Sequence, residues 1–220
     1  MDYHNIKSKQ KNSVCHITIN RPEQLNALNE ETILELHQAI NSAHNNPKVR
    51  CIILSGSGNK AFVAGADIKE FASFDASSGE GLARKGQELL FDLLESAGTP
   101  TIAAINGFAL GGGLELAMSC HIRVSSDTAK MGLPEVSLGV IPGYGGTQRL
   151  AKLVGKGRAL EMIMTGTMIS AQQANSWGLV NHVFPQEELI FNAEKIAERI
   201  KKNSPMAIAR AINSVNAGFK

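Results

Sequence analysis

Residues 106–115 read NGFALGGGLE, so three consecutive glycines stand directly before an apolar segment that favours a short helix. The preceding residues 101–105, TIAAI, form a continuous apolar run of the length that buried strands have. A strand that turns through glycines into a helix leaves main-chain N–H groups free at the helix N-terminus, where they can bind a phosphate or a developing oxyanion. Glu115 falls in the first turn of this helix. The same pattern also fits close helix–strand packing, with Glu115 as a favourable N-terminal charge.

Outward from this stretch, strand-like and helix-like segments alternate, and helices dominate the last third of the chain. The predicted strands are residues 14–20, 49–54, 101–105, 121–125 and 179–184. The predicted helices are residues 30–40, with Asn29 as the N-cap, and residues 82–96, 114–118, 146–154, 157–165, 171–177, 186–202 and 205–215. Residues 55–74 and 130–146 are rich in glycine and are predicted to be irregular. This order predicts a layered α/β or α+β fold with a helical C-terminal part.

Composition argues against several classes of protein. The net charge of +2 over 220 residues gives no field that would hold nucleic acid or an anionic membrane surface. Cys15, Cys51 and Cys120 lie in apolar stretches and form no C-x-x-C pair, so we expect buried free thiols in a reducing compartment. Neither a secretory signal nor an apolar run of the ~18 residues that a membrane span needs is found, so a cytoplasmic location is expected. The histidines show no ligand spacing, and no metal site is predicted.

One short motif is interpreted as a chance match. Residues 56–61, GSGNKA, follow a predicted strand and fit the dinucleotide fingerprint G-x-G-x-x-A. That fingerprint requires a helix that begins at the glycines, whereas Gly65 interrupts the residues that follow. No second strand ending in an acidic residue follows at the required distance. The segment is therefore predicted to be a loop that leaves a strand.

A second acidic residue lies in a glycine-rich stretch, residues 132–146, GLPEVSLGVIPGYGG. Pro134 stiffens the main chain before Glu135, and apolar residues stand on both sides of the pair. Such a carboxyl is a candidate for partial burial and a raised pKa, which are features of catalytic acids. A solvated loop acid is the alternative, and it is the commoner case for glutamate.

Taken in order, these stretches resemble the crotonase family of enoyl-CoA hydratases and isomerases. The resemblance covers about residues 12–217. It is carried by NRP at residues 20–22, LNAL at 25–28, AFVAGADI at 61–68, NGFALGGGLE at 106–115, LPE at 133–135, IPGYGGTQRL at 141–150, TG at 165–166, ISA at 169–171 and WGLV at 177–180. Each motif is modest alone, and the whole set in this order and spacing is highly specific.

The resemblance implies a spiral of ββα repeats, capped by helices and assembled as a homotrimer or a dimer of trimers. The core domain would span residues 1–200, and residues 201–220 would begin a C-terminal helical region that is shorter than is usual in the family. The implied substrate is an acyl-CoA thioester, as in fatty-acid β-oxidation. Coenzyme A would be part of that substrate, and no separate cofactor is implied.

The family pattern also assigns roles to individual residues. The N–H groups of Ala66 and Gly112 would form the oxyanion hole for the thioester carbonyl, and Glu115 and Glu135 would be the catalytic acids. Family hydratases have glutamate at both acid positions, whereas the double-bond isomerases usually keep only the later one, so hydration of 2-enoyl-CoA is favoured. Coenzyme A contacts are implied for Leu25, Ala27, Ala64, Gly65, Asp67, Ile68, Lys69 and Gly143.

Alternatives remain open at this point. Within enzymes, they are an enoyl-CoA isomerase and a hydratase for a branched or otherwise special acyl chain. In another class, some crotonase relatives bind RNA, which would need a basic helix face, and none stands out in the sequence. An inactive homologue is a further alternative, motivated by the early C-terminus.

Overall fold

The computed structural model describes residues 3–67, 81 and 83–219, and strands and helices alternate along this part of the chain. The strands are β1 Ile6–Lys11, β2 Val14–Ile19, β3 Cys51–Gly56, β4 Ala61–Val63, β5 Thr101–Ile105, β6 Phe108–Leu110, β7 Ile122–Ser126, β8 Lys130–Gly132, β9 Ile169–Ser170 and β10 His182–Phe184. The helices are α1 Glu30–His44, α2 Asp92–Ser96, α3 Gly112–Ser119, α4 Gly146–Val154, α5 Lys156–Thr165, α6 Ala171–Ser176, α7 Leu189–Ile200 and α8 Pro205–Ala217. Short 3-10 turns cover Pro22–Gln24, Glu135–Leu138 and Gln186–Glu188, and a wide helical turn at Gln87–Phe91 leads into α2.

The strands form two sheets. The larger sheet has the order β1-β2-β3-β5-β7-β10, and it is parallel except for the antiparallel pair of β1 and β2. The smaller sheet has the order β4-β6-β8-β9. Strands β3 and β5 are buried along their whole length, because helices cover a parallel sheet on both faces. Their sequences are therefore continuous apolar runs, which is the pattern that predicted them.

Successive strands pass from the larger sheet to the smaller one. Strands β3, β5 and β7 belong to the larger sheet, and each is followed by a short strand of the smaller sheet, β4, β6 and β8. The helical segment that ends in α2 follows β4, and α3 follows β6. The predicted spiral of ββα repeats with a helical C-terminal part is thus confirmed.

Two buried asparagines fix the corner at which the chain crosses between the sheets. Asn106 Oδ1 accepts a hydrogen bond from the Gly56 N–H at 2.9 Å, and the Asn106 amide donates to the carbonyls of Gly58 and Ala61. The Asn26 amide donates to the same Ala61 carbonyl at 2.8 Å. These bonds satisfy polar main-chain groups that the corner would otherwise leave buried without partners. The GSGNKA segment leads into β4 rather than a helix, which confirms that its match to the dinucleotide fingerprint is fortuitous.

Helix α1 begins as the sequence predicts. The Asn29 side chain accepts a hydrogen bond from the Thr32 N–H at 2.9 Å, which caps the first turn. Ile33, Leu36 and Ile40 lie on the buried face. The three cysteines are buried and free, as predicted. Within the described ranges, none of the helices combines the length and the apolar character of a membrane span.

The sequence predicted the small sheet poorly. Residues 130–146, predicted to be irregular, contain β8 and the turn Glu135–Leu138, and the region 55–74 contains β4. Strands of two or three residues are too short to show a periodic pattern, and their pairing is decided by distant segments. Helix α3 begins at Gly112, two residues before the predicted start. For the helix predicted over residues 82–96, the first residue, Leu82, lies outside the described residues.

Helix α3 packs directly on β4 through a glycine. A Cβ atom at Gly113 would overlap the Val63 carbonyl oxygen and lie 2.7 Å from the Val63 Cβ. The glycine cluster therefore serves close helix–strand packing. The same close approach also brings the N-terminus of α3 against the segment that follows β4.

We expect Gly113→Ala to destabilise the protein strongly, by roughly 1–3 kcal/mol or more, because the added methyl group must displace the main chain of β4. Gly157→Ala is the matched control, since Gly157 lies in the first turn of α5 with open space where a Cβ would be. That change should be neutral or should stabilise by up to about 1 kcal/mol. Urea unfolding of both variants measures the difference. Equal stabilities for the two variants would contradict the packing argument.

Candidate active site

The geometry of the site begins at the N-terminus of α3. Strand β6 ends at Leu110, and Gly111 then adopts φ 49° and ψ −126°, a conformation that glycine reaches at little cost. The Gly111 N–H donates to the Gly132 carbonyl at 2.9 Å, which ties the start of α3 to β8. Helix α3 then begins at Gly112 and carries Glu115 in its first turn, as the sequence predicts.

The Glu115 carboxyl is almost completely excluded from solvent, with 1% of the residue exposed. Its Oε1 atom accepts hydrogen bonds from the N–H groups of Tyr144 at 2.8 Å and of Gly146 at 2.7 Å. Gly146 is the first residue of α4, so this oxygen lies at a helix N-terminus, where a negative charge is favoured. Among the described residues, none donates a hydrogen bond to Oε2. This second oxygen is therefore available to a substrate or a water.

Burial raises the pKa of Glu115 to about 7. The nearby charge of Glu135 raises the pKa further, whereas the two N–H donors and Arg149 lower it. The loss of water around a buried carboxylate outweighs the donors, because two hydrogen bonds do not replace a full hydration shell. A carboxyl with such a pKa exchanges protons readily near neutral pH.

Glu135 is the first residue of its 3-10 turn, immediately after Pro134. Burial also raises the pKa of this carboxyl. Its Oε2 atom is buried without a hydrogen-bond partner in the described part of the chain. A Cβ at Gly111 would lie 3.0 Å from Glu135 Oε1, so this carboxyl packs closely against the start of α3. Of the two interpretations of Glu135, a partly buried acid is confirmed and a solvated loop acid is wrong.

Ala66 and Gly112, the predicted pair of main-chain donors, lie next to each other. A Cβ placed at Gly112 would be 3.8 Å from the Ala66 nitrogen. No carbonyl among the described residues accepts a hydrogen bond from the Ala66 N–H. The Gly112 N–H stands at the first position of α3, where a helix leaves its N–H groups without internal partners. Two such donors close together can stabilise an oxyanion.

The predicted coenzyme A contacts before Ile68 form one main-chain assembly. Ala64 N–H donates to the Leu25 carbonyl at 3.1 Å, and Leu28 N–H donates to the Gly65 carbonyl at 2.9 Å. Asp67 N–H donates to the Leu28 carbonyl at 2.8 Å. Residues 25–28 and 64–67 thus run side by side next to the Ala66 donor.

The side chain of Arg21 joins the two segments. It donates to the Ala27 carbonyl and forms an ion pair with Asp67 at 3.0 Å. The Asp67 carboxylate is thereby engaged within the protein. Gly143 lies in the loop before α4, where a Cβ would be 3.4 Å from the Ala83 Cβ. Ile68 and Lys69 lie outside the described residues.

Several residues that build the site were not predicted to do so. Tyr144, Gly146 and Arg149 surround Glu115, and Arg21 and Asn26 hold the loop beside Ala66. All five belong to the stretches NRP, LNAL and IPGYGGTQRL that carry the family resemblance. The sequence signal was therefore present, but contacts between stretches that are distant in sequence give these residues their roles. No group of three or more potential metal ligands occurs among the residues that the structure describes.

Chemically, the arrangement combines two carboxyls of raised pKa with two adjacent main-chain donors. The donors can hold a carbonyl oxygen that gains negative charge, and the carboxyls can transfer protons to and from neighbouring atoms. This set suits the addition of water to a double bond conjugated with a carbonyl.

Comparisons with known proteins agree with this chemistry. Residues 9–220 match the family described as enoyl-CoA hydratase/isomerase. The chain is 44% identical to a short-chain-enoyl-CoA hydratase of Clostridium acetobutylicum and 43% identical to a crotonyl-CoA hydratase of Syntrophomonas wolfei. Each of these matches covers 100% of this chain and 84% of the relative. A solved enoyl-CoA hydratase subunit from Geobacillus kaustophilus superposes with a TM-score of 0.94 at 42% identity, covering 100% of this chain and 84% of that one.

The raised pKa of Glu115 makes stability depend on pH. A carboxyl with a folded-state pKa of about 7, against an ordinary value of 4.5, stabilises the fold below pH 4.5 and loses that contribution as pH rises towards 7. Glu115→Gln cannot ionise. The free energy of unfolding of Glu115→Gln, measured relative to that of the wild type, should therefore increase between pH 4 and pH 8. The increase should be about 3 kcal/mol for a pKa raised from 4.5 to about 7. Urea unfolding at both pH values measures this, and a pH-independent difference would refute the buried-acid assignment.

Proposed function

The chain belongs to the enoyl-CoA hydratase/isomerase family, and we propose that it is an enoyl-CoA hydratase, which adds water to 2-enoyl-CoA and forms 3-hydroxyacyl-CoA. The observation that carries the proposal is the presence of two glutamates of raised pKa, Glu115 and Glu135, beside one pair of main-chain donors. The two curated relatives at 44% and 43% identity are both named as hydratases.

The oxyanion donors act first in the proposed mechanism. The N–H groups of Ala66 and Gly112 hold the thioester carbonyl oxygen and bind it more tightly as it becomes an enolate oxygen. Donors of this kind typically contribute ~3 kcal/mol each in the transition state.

The two carboxyls act on one water molecule. Glu115, as the carboxylate, accepts a proton from the water through Oε2 while the water oxygen bonds to C3 of the substrate. Glu135, as the neutral acid, gives its proton to C2, so the O–H bond of water breaks and one C–O and one C–H bond form. The anchored Oε1 of Glu115 favours its ionised form, and the lack of donors around Glu135 Oε2 favours the protonated form of that residue. Proton transfer from Glu115 to Glu135 through the next water restores the starting state.

The coenzyme A part would bind along residues 25–28 and 64–67, which provide closely spaced main-chain groups. Leu25 has 38% of its surface exposed and offers an apolar contact at the edge of this assembly. Coenzyme A is carried by the substrate, so the mechanism uses no separate cofactor. Affinity that resides largely in the coenzyme A part predicts weak binding of the free acid.

We expect Glu115→Gln and Glu135→Gln each to lower kcat for the hydration of crotonyl-CoA by roughly 10² to 10⁴-fold, the usual range for one acid–base group. KM should change less, because the oxyanion donors and the coenzyme A contacts remain. The double variant should be much less than multiplicatively worse, since both acids act on one water. Exchange of the C2 proton with deuterated solvent should suffer more in Glu135→Gln, because that acid serves C2.

Steady-state kinetics and deuterium exchange measure these effects. Glu161→Gln, an exposed change on α5, is the control and should leave kcat unaltered. Hydration at the wild-type rate by Glu115→Gln would remove the two-acid mechanism and favour a one-acid isomerase. Incubation of the wild type with a 3-enoyl-CoA tests that alternative directly, since an isomerase converts it without adding water. Crotonate, which lacks coenzyme A, is the control for the substrate, and it should bind much more weakly than crotonyl-CoA.

We also expect the protein to self-associate as a trimer or a dimer of trimers. Large apolar side chains are exposed on the loop after Glu135 and on α5, including Leu138, Ile141 and Met164 at 64%, 72% and 67%. Helix α8 buries none of its residues within the chain. Exposed apolar surface of this extent is characteristic of an interface. Light scattering should give the mass of three or six chains of 23.5 kDa, and a single-chain mass at micromolar concentration would count against the assembly.

A further inference from the structure

Arg149 is a buried cation one turn into α4, with 7% of its surface exposed. Its Nε and Nη2 atoms donate to Glu95 Oε2 at 3.0 and 2.7 Å, and Nη2 also donates to Asp92 Oδ1 at 3.0 Å. Both acids lie on α2, which closes over the guanidinium. The remaining Nη1 atom donates to the Tyr144 carbonyl at 2.6 Å. Arg149 thus fixes a main-chain carbonyl two residues before α4.

The Tyr144 carbonyl lies between the two N–H groups that bind Glu115. Along three successive peptide units, the Tyr144 N–H points to Glu115 Oε1, the Tyr144 carbonyl points to Arg149, and the Gly146 N–H again points to Glu115 Oε1. The middle peptide joins the two units whose N–H groups bind Glu115, so an uncompensated change in ψ of Tyr144 or φ of Gly145 would move one N–H relative to the other. The hydrogen bond from Arg149 opposes that change.

Two further contacts make this turn depend on an arginine. The Tyr144 ring stacks on Phe91, with centroids 4.4 Å apart and an interplanar angle of 9°. This stack holds the Tyr144 side chain, whereas the hydrogen bond from Arg149 holds the main chain of the turn. Gly145 has φ 80°, and a Cβ there would overlap Arg149 Nη1, so the guanidinium fills the space beneath the turn. The planar guanidinium donates hydrogen bonds to the acids of α2 and to the Tyr144 carbonyl at the same time. A lysine ammonium is a single point of charge on a flexible stem and cannot make both sets of bonds in this geometry.

We propose that Arg149 is a positioning residue for the hydration reaction, which holds the Tyr144–Gly146 turn so that Glu115 presents Oε2 to the reacting water. The inference rests on the proposed hydratase function and extends it to a residue that does not touch the substrate. Among the described groups, Glu135 and Arg149 are those whose charges act on Glu115. Arg149 favours the carboxylate form that accepts the proton.

Arg149→Met should lower kcat for crotonyl-CoA by roughly 10- to 100-fold, the range typical of partners that orient an active group, with a smaller change in KM. The acidic limb of the kcat profile should move to higher pH, because the loss of the cation raises the pKa of Glu115. Arg149→Lys keeps the charge and should lower kcat with a smaller movement of that limb. In a Glu115→Gln background, Arg149→Met should cost little more, because its effect passes through Glu115.

Lys152→Met is the matched control, since Lys152 lies on the same helix and bonds only the Phe219 carbonyl among the described residues. It should leave kcat and the pH profile unchanged. A merely structural role for Arg149 would lower the melting temperature and leave the pH profile and the Glu115 coupling unaltered, which would overturn the proposal. If Arg149→Met does not fold, Arg149→Lys carries the same double-variant comparison.

A stability cycle separates this inference from the function itself. Arg149→Met should destabilise the protein more at pH 8 than at pH 5, where Glu115 is largely protonated, and this pH-dependent part should vanish in the Glu115→Gln background. If the wild-type protein does not hydrate crotonyl-CoA, the proposed function is refuted. The stability measurements would still report the coupling between Arg149 and Glu115, because they do not depend on activity. Destabilisation that is equal at both pH values would overturn the inference whatever the activity.

Discussion

The contact between Gly113 and the Val63 carbonyl sets the geometry on which the site depends. It allows α3 to lie directly on β4, at a distance that any side chain larger than hydrogen would prevent. The N-terminus of α3 therefore reaches the segment after β4, and the main-chain nitrogens of Ala66 and Gly112 come together. The direction of α3 in turn aims Glu115 at the N-terminus of α4. One close approach of main chains thus places both the main-chain donors and the Glu115 carboxyl.

Electrostatics in the site is a balance between burial and directed donors. Burial alone would make Glu115 a neutral acid, and the N–H groups of Tyr144 and Gly146 bring its pKa back to about 7. Burial raises the pKa of Glu135 as well, and its Oε2 has no donor among the described residues. The two acids differ in surroundings rather than in kind, which is how one site can contain a base and an acid at the same pH.

The sequence predicted the long elements well. Strand β5 and helix α4 occur with the predicted bounds, and α1 begins at the predicted cap Asn29, because local periodicity and capping determine such elements. The strands of the small sheet were missed for the opposite reason, since β4, β6, β8 and β9 have two or three residues each. Their existence depends on pairing with residues 22 to 47 positions away, and no local pattern records such pairing.

The sequence by itself determined the family, the fold class and the residue types of the site, because the motifs from NRP to WGLV occur in one order and spacing. It marked Glu115 and Glu135 and the donors Ala66 and Gly112, but it left open whether Glu135 was a solvated loop acid. Only the tertiary structure decided that, since burial and pKa are set by neighbours distant along the chain. The tertiary structure alone also showed that Asp67 pairs with Arg21 and that Arg149 supports the turn around Glu115. Hydrogen bonds between distant stretches leave no trace in the residues of either stretch read alone.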